Sequence, residues 1–225
     1  SLVDILMEDK TAKHYMKKYE TAKSFRLPFE DLFQECYDYA LPQREGFFYT
    51  SPAERRDDRI FDETAVVGVQ EFASRLQSGL VPNFARWSDL LSGSEVPEEE
   101  RDEVNNNLDA VTEYIFDIIA NSNFAQEVHE SFMDLAVGTG CLLVEEGDAV
   151  NPLRFSAIPL PKIVLENGPD DRIDHVYREC EIRHRDFKVV YPKAKLSPKL
   201  LDLMENKPDE KCKVLEVVCR LYDKP

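Results

Sequence analysis

The chain has 225 residues with 28 Lys and Arg against 44 Asp and Glu, a formal net charge of -16. A chain this long buries a real core, as one large domain or two small ones. The acidic balance runs against a nucleic-acid grip, which needs a basic excess or stripe. No segment approaches the roughly 18 apolar residues that span a bilayer. The opening Ser1-Leu-Val-Asp-Ile-Leu-Met lacks the basic flank of a secretory signal.

In chain order, residues 9–40 read as helical with a break near Pro28. Asp9 is expected to start the first piece. Leu27-Pro-Phe-Glu-Asp opens a second, with Pro28 in its first turn. Phe29, Leu32, Phe33, Cys36 and Tyr37 follow helical spacing, and Pro42 ends the run. Residues 43–60 are polar, contain Gly46 and Pro52, and read as loop. Asp62 is placed to cap the next helix, whose apolar face is Val66, Val69, Phe72, Ala73, Leu76 and Leu80. Gly79 and Pro82 stop it. A further helix starts around Pro97-Glu-Glu-Glu and runs to about Ala120. Its stripe is Val104, Leu108, Val111, Ile115, Ile118 and Ile119. Asn123 is the expected cap of the next helix, with Val128, Phe132 and Leu135 facing inward.

At Gly138-Thr-Gly140 the period changes. Cys141 to Val144, Leu153 to Ile158, Lys162 to Leu165, Ile173 to Ile182 and Val214 to Tyr222 read as strands. Asn167-Gly168 marks a turn, and short helices are expected at 187–191 and 197–204. Helices followed by strands give an α+β class: a helical part, 1–137, then a mainly antiparallel β part with short helices, 138–225.

Candidate chemistry is sparse. The five cysteines, Cys36, Cys141, Cys180, Cys212 and Cys219, are odd in number and form no CxxC pair. They read as reduced thiols. His175, Cys180 and His184 come nearest to a ligand set. On one strand Cys180 and His184 share a face that His175 does not, so strand and turn roles are preferred. Gly138-Thr-Gly140 lacks the later glycine and lysine of a phosphate loop, and no GxSxG, HExxH or kinase signature occurs. With so many acids, naming a catalytic pair is arbitrary. His14 and His129 lie on expected helices with no nucleophile nearby. The basic run Arg55, Arg56 and Arg59 reads either as solvated loop or as a contact to an acidic neighbour. Arg86 and Trp87 read equally as a subunit-interface anchor or as packing after a turn.

Four blocks carry a resemblance. They are Tyr37-Asp-Tyr-Ala-Leu-Pro-Gln-Arg44; Arg59-Ile-Phe-Asp-Glu-Thr-Ala65; Phe72-Ala-Ser-Arg-Leu-Gln-Ser-Gly-Leu-Val-Pro82 with Arg86-Trp87 and Leu90; and Phe132-Met-Asp-Leu-Ala-Val-Gly-Thr-Gly-Cys-Leu-Leu-Val-Glu-Glu146, continued by Phe155-Ser-Ala-Ile-Pro-Leu160. In this order and spacing they resemble the bacteriophage portal proteins of the podovirus head-to-tail connector family. The resemblance implies a structural, non-enzymatic subunit of a ring of about twelve copies at a capsid vertex. It implies no cofactor, metal or catalytic residue. It further implies that DNA passes through the channel unspecifically, that terminase, tail or adaptor, and capsid or scaffold proteins dock on the whole protein, that there is no membrane partner, and that assembly takes place in the host cytoplasm. By the same resemblance this segment is expected to be the outer wing, with the stem, clip and crown outside it. Arg55, Arg56, Arg86 and Trp87 become candidate subunit-interface residues, with Glu98-Glu-Glu100 as a possible acidic counterpart. The competing readings are an acidic scaffold module of another phage complex and a carboxylate-metal hydrolase.

Overall fold

The computed structural model describes residues 9–44, 62–83 and 85–220. The element order is α1 (Asp9–Ala40), α2 (Thr64–Leu80), α3 (Arg101–Asn121), α4 (Phe124–Val137), β1 (Leu142–Glu146), β2 (Leu153–Ala157), β3 (Ile163–Asn167), β4 (Ile173–Arg183), α5 (Phe187–Val190), α6 (Pro198–Asn206) and β5 (Lys211–Cys219). The fold class is α+β, as the periodicity indicates. No described helix is long and apolar enough to cross a membrane. The chain forms two compact units. One joins the chain up to Glu30 with the chain from Pro161 onward; the other is Asp31–Leu160. Compactness therefore follows a different division from the helix-to-strand change at 137/138.

In the first unit, β3, β4 and β5 form an antiparallel sheet in that order. Val164 stands opposite Tyr177, and Tyr177 opposite Val217, so all three share a face. Tyr19 and Ala22 of α1 pack on that face, with Tyr15 and Leu215 at its border. The Tyr19 and Tyr177 rings meet at 5.6 Å. The polar ends of these rings reach carboxylates: Tyr177 donates to Glu166 at 2.7 Å, and Tyr19 donates to Glu179. Lys23 reaches Glu179 at 3.1 Å.

The expected break at Pro28 does not occur, and α1 runs unbroken from Asp9 to Ala40. Pro28 lacks the N–H that would bond the carbonyl four residues back, at a cost of about 3 kcal/mol in a helix interior. Arg26 and Glu30 offset it from either side. Arg26 Nε donates to Glu30 at 2.8 Å, and its guanidinium also donates to the Ile163 carbonyl. Glu30 is buried by that pairing. The sequence window contains the proline but not the distant carbonyl.

His175 and Cys180 lie on opposite faces of β4, and the strand ends before His184. His184 sits in a 3-10 turn with Nδ1 2.7 Å from the Lys207 carbonyl. Helix α6 has Ser197 as its cap, accepting from the Leu200 N–H at 3.3 Å, with Pro198 in the first turn.

In the second unit, α2, α3 and α4 carry the hairpin β1–β2, whose register sets Val144 opposite Phe155. The cap position of α2 is Glu63, which makes no side-chain cap bond, and the expected cap Asp62, one residue earlier, accepts the Thr64 N–H at 2.8 Å. Helix α3 begins at Arg101, four residues after Pro97. Residues 97–100 form a turn closed by the Glu100 N–H on the Pro97 carbonyl at 3.0 Å. The expected inward faces of α3 and α4 hold at Val104, Leu108, Ile115, Ile118, Ile119, Val128 and Phe132, with local exceptions. Val111 and Leu135 are exposed, while Thr112, Ser131 and Asp134 are buried. Buried polar groups need hydrogen-bond partners. Thr112 has them: its hydroxyl donates to the Leu108 carbonyl at 2.8 Å and accepts the Leu90 N–H at 3.2 Å.

The glycine pair before β1 permits close approach. A Cβ on Gly140 would stand 2.7 Å from the Ser131 carbonyl oxygen, and one on Gly138 would stand 3.1 Å from Leu160. Gly68 lies inside α2, and nothing comes within 4 Å of a Cβ there. Gly140→Ala is expected to lose about 1–3 kcal/mol of stability through overpacking. Gly68→Ala is expected to gain about 0.5–1 kcal/mol of helix propensity. Urea unfolding of the two variants, with opposite shifts in midpoint, checks both.

Candidate functional site: an aromatic segment and a buried clamp

Residues 85–93 form no helix or strand. Side chains of α3 hold them in place. The Arg86 guanidinium bonds Asp89 at 2.5 Å and also Asp109 of α3. The Leu90 N–H donates to Thr112, and the Ser92 N–H donates to Asn105 at 2.9 Å. An irregular backbone is thereby given the partners a helix would have supplied internally.

Trp87 sits on a chain of rings. It meets Phe116 edge-on at 5.2 Å and stacks on Phe124 at 6.1 Å, and Phe124 meets Phe155 edge-on at 5.0 Å. Val81, Pro82, Phe116, Ile119 and Phe124 line an open cleft of about 130 Å³ beside it. Trp87 remains 38% exposed, and Leu91 is 75% exposed. Of the candidate interface residues, Arg86 is thus engaged by two carboxylates of its own chain. Trp87 is packed on one side and open on the other. Arg55 and Arg56 lie outside the described residues, as does most of the Arg59–Ala65 block.

Sequence reasoning missed a second arrangement. Asp134 on α4 is fully buried. It accepts a hydrogen bond from the Tyr37 hydroxyl near the end of α1 and another from Arg44. Arg44 also bonds the Glu130 carboxylate and donates to the Glu130 carbonyl at 2.9 Å. Burial raises the Asp134 carboxyl above its ordinary range, and the bonds from Tyr37 and Arg44 work against that rise. Burial, then the Asp134 charge, pushes the Tyr37 phenol well above its usual 10. The available signal was an acid between Phe132 and Leu135 on an otherwise apolar helix face.

The same helix controls the hairpin. Asn123 was expected to cap α4, yet its side chain makes no cap bond. Its amide instead donates to the Phe155 carbonyl at 2.7 Å and accepts the Phe155 N–H at 3.0 Å. Glu127 accepts the Ala157 N–H at 2.7 Å. These two side chains stand in for a further strand along β2. Gln77 of α2 completes the set, donating to the Ala125 carbonyl at 2.8 Å and lying 3.0 Å from His129 Nδ1.

Tyr37 and Arg44 belong to one of the resemblance blocks, Gln77 and Trp87 to another, and Asp134, Gly138 and Gly140 to a third. The blocks are joined in space by mutual contacts, as signatures of a fold would be. Among the described residues, no cluster of His, Cys, Asp and Glu has the geometry to hold a metal ion.

The clamp has graded consequences. Asp134→Ala leaves Arg44 and Tyr37 facing a dry gap and is expected to cost about 3–5 kcal/mol. Tyr37→Phe removes one donor from a carboxylate that keeps its cation, and is expected to cost about 1–2 kcal/mol. Chemical unfolding of both variants checks the order; equal losses would show that the ion pair contributes nothing beyond the phenol bond.

No curated protein matches the chain significantly. A family model does match, from residue 12 to residue 224, and its description is bacteriophage head to tail connecting protein. That span takes in all the blocks whose side chains meet in the clamp, the ring chain and the hairpin, and the chain belongs to the bacteriophage head to tail connecting protein family.

Proposed function

We propose that the chain is the wing portion of a portal subunit: a structural, non-catalytic part of a closed ring of about twelve copies at one capsid vertex. The ring forms the channel for genome packaging and ejection. Terminase docks on it first, and tail or adaptor proteins follow. It is assembled in the host cytoplasm and stays in the virion. The observation that carries this reading is the family match along nearly the whole chain. The charge of -16 supports it, because a passage lined by acidic subunits repels the phosphate backbone and does not hold DNA in place. The half-open Trp87 and the exposed Leu91 support a role in lateral contacts, since aromatic anchors in partly packed sites are the usual centres of interfaces.

Native mass spectrometry with negative-stain imaging of the full-length protein tests the reading. A closed ring with a central hole is expected. A particle that remains a monomer or dimer under all assembly conditions would put the acidic scaffold module first. Trp87 is the single tryptophan of this chain. In a ring whose seam includes it, emission is expected to move to shorter wavelength on assembly, and Trp87→Ala is expected to weaken assembly by about tenfold or more. Unchanged emission would remove Trp87 from the seam while leaving the ring reading intact.

A further inference from the structure

Each unit has a sheet with an edge strand, β1 in one and β5, at the opposite end from β3, in the other, and these two edges differ in charge. β1 has β2 as its only strand neighbour, and β5 has only β4, among the described residues. The outer side of β2 is closed by Asn123 and Glu127. Among the described residues nothing comparable covers β1, which ends in the exposed acids Glu145 and Glu146, with Val144 54% exposed. β5 runs for nine residues without proline or bulge and begins with the exposed bases Lys211 and Lys213. Lys211 leans toward Glu181 at 3.8 Å, a separation at which an exposed pair contributes little. An open strand of this length is a template for another strand.

We propose that the acidic edge of β1 in one copy pairs antiparallel with the basic edge of β5 in the next copy, joining the two sheets across the subunit seam. The side chains agree with one register. If Glu145 stands opposite Lys213, then Leu143 falls opposite Leu215 and Val144 opposite Val214. Glu145 and Lys213 then pair opposite charges beside two apolar pairs, the combination that stabilises cross-strand neighbours, while Leu142 falls opposite Glu216 and Glu146 opposite Cys212. A shift by one residue sets Glu145 opposite Val214 and Leu143 opposite Glu216 in one direction, and Val144 opposite Lys213 with Glu145 opposite Cys212 in the other. A parallel arrangement that keeps Glu145 opposite Lys213 brings Leu143 against Lys211. The contact uses different surfaces on the two copies, as a cyclic ring requires. The occupant is a second copy because the complementary edge is present in the chain itself. This inference rests on the ring reading above.

The test uses the full-length chain in light and 15N-labelled forms, mixed as monomers, assembled, and treated with a zero-length carbodiimide. Linked peptides joining Lys213 to Glu145 or Glu146 are expected with mixed isotopes. A ring without such links overturns this contact and leaves the ring reading standing. Links found only between like-labelled peptides place the two strands together within one chain and overturn it as well. Failure to form any ring overturns both. A charge exchange supplies an independent arm. Glu145→Lys with Glu146→Lys, or Lys211→Glu with Lys213→Glu, is expected to raise the concentration needed for assembly about tenfold. The chain carrying all four changes is expected to regain most of that loss. Four changes no better than two would count against the pairing.

Discussion

A buried carboxylate organises the Asp31–Leu160 unit. Asp134 has no access to water, and an ion in that position is tolerated only where donors surround it. Tyr37 and Arg44 are those donors, and Arg44 reaches Glu130 with its remaining nitrogen. The 31–40 part of α1 and the following turn are thereby fixed against α4. An apolar pair at the same place would stabilise through area alone and would tolerate sliding by a turn. The forked guanidinium and the phenol accept one orientation.

Helix α4 passes this order on to the hairpin. Its first turns present Asn123 and Glu127 to β2, and its later turn meets β1 through the bare backbone of Gly140. A two-stranded hairpin is marginal by itself. Here one edge is bonded by side chains and one end lies against a helix that cannot shift. The three-stranded sheet of the other unit is supported differently, by the ring faces of Tyr19 and Tyr177 and by carboxylates that accept from their hydroxyls. Among the described residues, β1 and β5 each keep one backbone edge without a strand partner.

Residues of the quoted blocks make contacts that tie α1, α2, α3 and α4 together in the Asp31–Leu160 unit. Gln77 reaches Ala125 and lies beside His129, Trp87 reaches Phe116 and Phe124, and Tyr37 reaches Asp134. Asp134 takes two donors at once in a dry setting, and Gln77 links two helices.

The sequence by itself determined the class and order of elements, because apolar spacing changes from helical to strand-like at Gly138 and turn residues mark each boundary. At Gly138 and Gly140 it marked the change of period, while the close approach of Ser131 and Leu160 to that backbone belongs to the fold. Only the tertiary structure decided the continuity of α1 through Pro28, which depends on Arg26 reaching a carbonyl more than a hundred residues away. The same holds for the polar residues turned inward on α3 and α4. Thr112, Ser131 and Asp134 are polar, and a polar residue turns inward only where a partner from elsewhere in the chain is waiting. Asn123 is the sharpest case: local chemistry made it a helix cap, and the neighbouring strand offered its amide two better bonds.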